Sequence, residues 1–369
     1  MERTFGYPEV LAAWDWGGAL AGALPYGAGH INATFCVYVQ RQSGEPVRYI
    51  LQKINTDTFT DPDALMQNIC GVTGFLRRKA AQTGGDAARA TMQVVPTRMG
   101  GAYFRAADGG CWRVYRFVED TVCLQKAGSE QDFYESAVAF GNFQRLLDGY
   151  PAATLHETIA HFHDTPARYR NFEKALAADA LGRAASAAAE IAFVQARRAD
   201  CAALAAQLAA GKLPLRVTHN DTKLNNVLLD QTTSKGVCVI DLDTVMPGLA
   251  AYDYGDSIRF GANDCAEDEP DQTRVHFSLP LFKTYTRGFL QAAGDTFSAA
   301  ERESLPWGAR LMTLECGIRF LTDYLEGDHY FHTARPGQNL DRARTQFTLV
   351  RQMEQEWARM TAFVAGTEL

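Results

Sequence analysis

The chain has 369 residues, of which 47% are hydrophobic and 21% charged. That is an ordinary globular balance, with room for about two domains. Its 36 Lys and Arg against 43 Asp and Glu leave a formal net charge of −7, which argues against a nucleic-acid or anionic-membrane partner.

The eight cysteines include no C-x-x-C pair and read as scattered core thiols in a reducing compartment. No short apolar core follows a basic start, so a secretory signal is not expected. The Ala-rich stretch 175–210 is cut by Asp179, Arg183, Glu190, Arg197, Arg198 and Asp200. A membrane span needs about 18 apolar residues with few charges, so the expectation is a soluble cytoplasmic protein.

In chain order, residues 34–40 and 48–54 are β-branched and aromatic runs flanking the turn residues Ser43, Gly44, Glu45 and Pro46, the pattern of a hairpin. Asp61 followed by Pro62 predicts a helix running to about Gln82. Residues 91–96, 102–106 and 111–118 read as three further strands, the last two joined by the turn Asp108-Gly109-Gly110. Helical spacing or composition then covers 131–147, 166–178, 184–210, 250–260, 279–292, 299–325 and 341–363. One interruption, 216–243, holds two short apolar runs at 226–229 and 236–240 with a turn between them, a β-hairpin set among helices. The fold class expected is α+β: residues 1–118 form a small antiparallel β lobe with one helix, and residues 119–369 a mainly helical lobe.

The chemistry gathers at the ends of that hairpin. Val217-Thr218-His219-Asn220-Asp221-Thr222-Lys223-Leu224-Asn225-Asn226 contains H-x-D-x-x-x-x-N, and fifteen residues after Asn226 the second strand ends in Ile240-Asp241-Leu242-Asp243. Phosphoryl transfer needs a carboxylate to orient an attacking hydroxyl and take its proton, and oxygen ligands to hold Mg²⁺ on nucleotide phosphates. A loop followed by a hairpin can bring Asp221, Asn226 and Asp241 to one end of two strands.

This pattern resembles the catalytic loop and metal-binding segment of the protein-kinase-like superfamily, and more narrowly its aminoglycoside and choline phosphotransferase branch. The resemblance implies a bilobal kinase-like fold that uses ATP and Mg²⁺. Asp221 is then the catalytic base, Asn226 and Asp241 hold metal, and Asp243 is a further metal or substrate group. His219 becomes a scaffold for the loop, Lys223 faces the γ-phosphate, and Asp253 hydrogen-bonds the loop from the next helix. The segment from Pro25 through Gly27, Gly29 and Asn32 to Thr34 becomes the nucleotide loop, and the strand through Phe117 to Glu119 leads into the adenine hinge. One departure stands out. Where kinases place a lysine on the third strand, this chain has Gln52 followed by Lys53. A one-residue shift reverses the face, and the sequence leaves open which of the two faces the phosphates.

A narrower resemblance, to the N-acetylhexosamine 1-kinase family, runs over nearly the whole chain. It is carried by 25–27, 29–32, 49–52, 158–166, 215–226, 240–248, 255–262 and 315–327. It implies phosphorylation of the anomeric hydroxyl of GlcNAc or GalNAc, with His30, Asp221, Phe260, Arg319 and Tyr330 around the sugar. A neutral sugar wants hydrogen-bonding groups for its hydroxyls and an apolar wall for its ring face. Two alternatives stay open: a kinase of another small alcohol such as choline, homoserine or an aminoglycoside, and a non-catalytic nucleotide-binding pseudokinase. The acidic residues Asp264, Glu267, Asp268, Glu269 and Asp271 are what a cationic aminoglycoside would seek. His161 and His163 form an H-x-H pair with no third zinc ligand nearby in sequence.

Overall fold

The computed structural model describes residues 6–27 and 31–366. In chain order it opens with α1 (Pro8–Ala12), β1 (Ala19–Pro25), β2 (Ala33–Gln40), β3 (Pro46–Ile54), α2 (Pro62–Gln82), β4 (Phe104–Arg105), β5 (Cys111–Arg116) and β6 (Thr121–Cys123). Four helices follow: α3 (Glu130–Leu146), α4 (Thr165–Ala178), α5 (Ala188–Gln195) and α6 (Ala203–Ala209). The short strands β7 (Arg216–Thr218), β8 (Val227–Asp230), β9 (Gly236–Val239) and β10 (Met246–Gly248) come next. The chain closes with α7 (Ala250–Gly261), α8 (Leu279–Ala293), α9 (Ala299–Glu326), α10 (Gln338–Gln355) and α11 (Trp357–Val364). These elements fall into two compact units. One comprises the residues up to Val122 with Thr154–Ile159 and Leu228–Val245; the other comprises Cys123–Ala153, Ala160–Val227 and Met246 onward. The expected α+β class, an antiparallel sheet followed by a helical part, is what the chain adopts. Among the described residues, no helix is long and apolar enough to cross a membrane.

In the first unit, β1 to β5 form an antiparallel sheet in the order β1-β2-β3-β5-β4. Side chains alternate across a strand, and Trp112 and Val114 of β5 face a core of Trp14, Trp16, Val37, Val39 and Leu51. Gln52 pairs in register with Thr34 on one side and Arg113 on the other. These three side chains therefore form a row, while Lys53 pairs with Trp112 on the alternate register position. The α2 start follows its sequence signal: the Asp61 carboxylate accepts from the Ala64 N–H, and Pro62 needs no partner for an N–H. Such a cap is worth about 1 kcal/mol.

Several expected elements differ. Residues 91–96 form no strand; Val94 makes an isolated bridge to Tyr115, and the backbone leaves β5 at Pro96, which has no N–H to continue the ladder. The β1 strand was not expected, because its Ala- and Gly-rich residues are mostly exposed and carry no β signal. The helix expected over 184–210 is broken into α5, α6 and short 3₁₀ turns. Alanine favours helix, but the chain bends so that Val194, Cys201 and Leu204 can all be buried, and packing overrides propensity. The helix expected over 341–363 begins earlier, at Gln338, and splits at Glu356.

The second unit is built around α9. This helix carries the capping box of Ser298 and Glu301 at its start and Gly327 in the left-handed region at its end. It crosses α7 where Gly255 meets Gly308 with no room for a side chain. The pair β7 and β10 brackets the H-x-D segment, with Thr218 opposite Met246.

Candidate active site

The H-x-D segment leaves β7 as a turn held from behind by one buried carboxylate. Asp253, in the first turn of α7, accepts the His219 N–H on Oδ2 at 2.9 Å and the Asn220 N–H on Oδ1 at 2.8 Å. Gln144 of α3 donates to the same Oδ2 at 2.9 Å and to the Val217 carbonyl at 3.0 Å. Burial pushes the Asp253 carboxyl up, and His219 together with these three donors counters part of that push. Asn220 takes φ of 65°, a left-handed conformation that asparagine tolerates better than most residues. His219 is fully buried between Phe140 and Phe143, and its Nδ1 accepts the Asp221 N–H at 3.2 Å. The loop continues with Thr222, whose N–H reaches Asp256 Oδ2 at 3.0 Å and whose hydroxyl donates to the Asp253 carbonyl at 2.5 Å.

Out of this buried base the Asp221 side chain projects, 28% exposed. Lys223 Nζ lies 2.6 Å from Asp221 Oδ1. Asn226 Nδ2 donates to Asp221 Oδ2 at 3.1 Å and to the Asp221 carbonyl at 2.8 Å. Burial works against the charge on Lys223, but the Asp221 and Asp256 carboxylates outweigh it and hold the ammonium above its ordinary pKa. The arrangement is an oriented carboxylate flanked by a cation and an amide.

The other acidic segment belongs to the first unit. Asp241 stands exposed after β9, with φ of 62° and ψ of 57°. Two residues on, Asp243 is buried and pairs with Arg113 at 2.6 Å, the two side chains being 5% and 1% exposed. Burial disfavours the guanidinium, yet Asp243 more than compensates and keeps the Arg113 pKa raised. Arg113 Nε and Nη2 also donate to Gln52 Oε1 at 3.1 and 2.9 Å, and Gln52 Nε2 donates to Thr34 Oγ1 at 3.0 Å. Asn32 Nδ2 donates to Asp243 Oδ2 at 2.6 Å, while its Oδ1 accepts the Asn55 N–H at 2.9 Å. A polar chain thus runs from Thr34 through Gln52 and Arg113 to Asp243.

This network separates the two candidates on β3 by face. Gln52 lies on the face that carries Arg113 and Asp243. Lys53 turns the other way, 3.5 Å from Asp108 and over the rings of Tyr7 and Trp112 at 5.6 and 5.7 Å. Gly27 has φ of 78° at the end of β1, where glycine avoids strain. Gly29 and His30 lie outside the described residues. Phe117 carries the Arg48 guanidinium over its ring at 3.8 Å and meets Tyr26 edge-on, and the exposed Glu119 pairs with the same Arg48.

Among the residues expected around a substrate, Arg319 and Tyr330 come together. Arg319 Nη2 lies 3.5 Å from the Tyr330 hydroxyl, and its guanidinium packs over Phe162, Tyr330 and Phe331. Both line a cavity of about 190 Å³ with Arg168, Asn171 and Thr322. Phe260 sits half-exposed near the end of α7 and is not in that lining. In the acidic stretch, Glu267 lies near Arg259 and Arg342, Asp268 near Arg335 and Glu269 near Arg274, while Asp264 faces His276 and Asp271 accepts from Thr273. His161 and His163 serve different partners, Asp164 and Glu315.

Two groups escaped the sequence reading. Arg113 carried a signal, since period-2 alternation from Gln52's neighbouring strand puts it on the inner face. Glu315 carried none, because its partner His163 is 152 residues away. As for a metal, the described residues hold no cluster of three His, Cys, Asp or Glu side chains. Each unit offers oxygen donors of its own: the first the Asp241 carboxylate, the second Asn226, whose amide nitrogen is committed to Asp221 and so leaves Oδ1 to ligate. Oxygen donors of this kind fit a hard divalent cation such as Mg²⁺.

Residues 25–287 match the model of the phosphotransferase enzyme family. Among solved structures, a microcompartment-associated aminopropanol kinase is 17% identical with a TM-score of 0.62, covering 96% of this chain and 97% of its own. An aminoglycoside phosphotransferase from Alicyclobacillus acidocaldarius is 14% identical with a TM-score of 0.59, covering 97% and 96%. An amicoumacin kinase in complex with AMP-PNP and Ca²⁺ is 14% identical with a TM-score of 0.57, covering 95% and 94%. At these identities the likeness is one of fold.

Proposed function

The chain belongs to the phosphotransferase enzyme family, and from that premise we propose that it transfers the γ-phosphoryl group of ATP to the anomeric hydroxyl of an N-acetylhexosamine, GlcNAc or GalNAc. The observation that carries the reading is the Asp221 carboxylate, presented on a loop whose backbone is locked by Asp253 and flanked by Lys223 and Asn226. Asp221 orients the sugar hydroxyl and takes its proton as the oxygen bonds to the γ-phosphorus and the bond to the ADP oxygen breaks. Lys223 neutralises charge beside the transferring group. Asn226 and Asp241 would hold Mg²⁺, which supplies charge neutralisation on the phosphates. Gly27 and its loop, Thr34, Gln52, Phe117 and Glu119 contact the nucleotide, and Asp243 serves as the buried anchor of Arg113.

For the acceptor, Arg319 and Tyr330 offer a donor and an amphipathic ring at one cavity, which Arg168, Lys174, Asp323 and Glu326 also line and which hydroxyls could engage. Phe260 and His30 complete the set that the N-acetylhexosamine kinase resemblance suggests. Most of the rate enhancement comes from positioning and charge neutralisation.

The test is ADP release with N-acetylglucosamine, N-acetylgalactosamine, galactose, choline and kanamycin, with phosphorus NMR locating the new phosphate. A 1-phosphate on the N-acetylhexosamines is the expected result. Turnover confined to choline or kanamycin makes the chain a kinase of another alcohol, and no turnover with any acceptor makes it a nucleotide-binding module. Asp221→Asn should retain nucleotide binding and lose at least about 10³-fold in kcat.

A further inference from the structure

Behind the catalytic loop, His163, its side chain 11% exposed, has one acceptor at each ring nitrogen. Nδ1 lies 2.8 Å from Glu315 Oε1 of α9, and Nε2 lies 3.3 Å from the backbone carbonyl oxygen of Asn220. A carboxylate and a carbonyl can only accept. A neutral imidazole has one N–H and would leave two lone pairs facing each other at one of these contacts. The geometry points to a doubly protonated ring. Glu315 is itself fixed in place, since its other oxygen, Oε2, accepts the Thr165 hydroxyl at 2.5 Å and its side chain is 2% exposed.

We propose that His163, held as an imidazolium by Glu315, is a positioning residue that fixes the Asn220 carbonyl and thereby the direction in which Asp221 leaves the loop. Asn220 is the left-handed residue immediately before Asp221, so its peptide orientation sets where that carboxylate points. Asp253 holds this peptide run by its N–H groups and His163 holds it by its carbonyl. Neither grip substitutes for the other. The proposal rests on Asp221 being the catalytic base.

The charged groups facing the ring are Glu315 and Arg319 from α9 and Asp256 from α7. Tyr252 of α7 also packs against it, with a phenol that burial pushes far up and keeps neutral. Burial disfavours the imidazolium and Arg319 opposes it, but Glu315 and Asp256 prevail and the pKa stands above the ordinary 6.5. Burial pushes the Glu315 carboxyl up, but His163, with Thr165, outweighs it and holds that group below its ordinary value. The charge on His163 is thus complete below pH 6.5 and is lost as pH rises through the raised folded value. Activity should have an alkaline limb set by this histidine, since Lys223 titrates above its ordinary 10.5.

The test is imidazole ¹⁵N NMR on the full chain from pH 6 to 9, with His163 assigned by its absence in His163→Gln. The ring should titrate above the ordinary 6.5, with both nitrogens showing protonated shifts below its midpoint. Glu315→Gln, which keeps the shape and removes the charge, should move the ring's titration and the alkaline limb of kcat down together by about one pH unit or more. The nucleotide KM should stay within about twofold. A ring that titrates at or below 6.5 overturns the proposal, as does an alkaline limb that Glu315→Gln leaves in place. The NMR arm reads the ring whatever acceptor the enzyme takes, so failure of the sugar reading and failure of this one are separate results.

Discussion

Arg113 and Asp243, 130 residues apart in sequence, form an ion pair that is buried at both ends. Removing one member strands the other charge in a low-dielectric interior, which typically costs about 3–5 kcal/mol. Arg113→Met should therefore destabilise the protein by about that amount. The double variant Arg113→Met with Asp243→Leu should recover much of the loss, because no lone charge remains. Urea unfolding of both singles and the double gives the coupling energy. Strictly additive losses would show that the pair acts as two independent residues.

Gln52 and Lys53 make opposite predictions for nucleotide binding. Gln52 bonds Thr34 and Arg113 on the inner face, whereas Lys53 lies over Tyr7 and Trp112 near Asp108. Gln52→Met should raise the KM for ATP by about tenfold, the scale of one lost hydrogen-bonding group near a charge. Lys53→Met should leave it within about twofold. Steady-state kinetics with ATP varied would decide, and a larger effect at Lys53 would reverse the assignment of faces.

The sequence made the site's core readable because its determinants are local. H-x-D-x4-N places Asp221 and Asn226 five residues apart, and their side chains meet at 3.1 Å. Asp61 with Pro62 marked the start of α2 for the same reason: a cap is satisfied within one turn. What escaped depends on long-range pairing. The Gln52-to-Arg113 bond needs the β3–β5 register, which no short window encodes. His163 finds Glu315 only after α4 and α9 have packed, and the Ala-rich stretch bends for contacts its own composition does not announce. Residues 91–96 looked like a strand because β propensity is scored without knowing which partner edge is available.

The α7–α9 crossing depends on two glycines. A Cβ on Gly308 would sit 2.0 Å from the Ala251 carbonyl oxygen, and one on Gly255 would sit 2.2 Å from the Gly308 carbonyl oxygen. Both obstacles are backbone atoms, so the helices themselves must part. Gly308→Ala should cost about 3 kcal/mol or more despite the better helix propensity of alanine, which alone would favour the variant by about 1 kcal/mol. Thermal unfolding checks the sign. A stabilised Gly308→Ala protein would mean that the two helices separate easily.

Asp253 offers a sharper test of how the loop carrying Asp221 is held. Each of its oxygens accepts a backbone N–H, from His219 on one side and Asn220 on the other, with Gln144 donating as well. Asparagine has nearly the same shape but only one accepting oxygen. In Asp253→Asn the new NH₂ must face one of these N–H groups, donor against donor, inside a fully buried site. The expected stability loss is about 2–3 kcal/mol, the cost of leaving buried donors unsatisfied. The loop carries Asp221, so kcat should fall by about 10²-fold as the carboxylate loses its aim, while the nucleotide KM changes little. Kinetics measured on the folded fraction, alongside urea unfolding, separate the two effects. A variant that is less stable yet turns over at the parent rate would show that Asp253 supports the fold without steering Asp221.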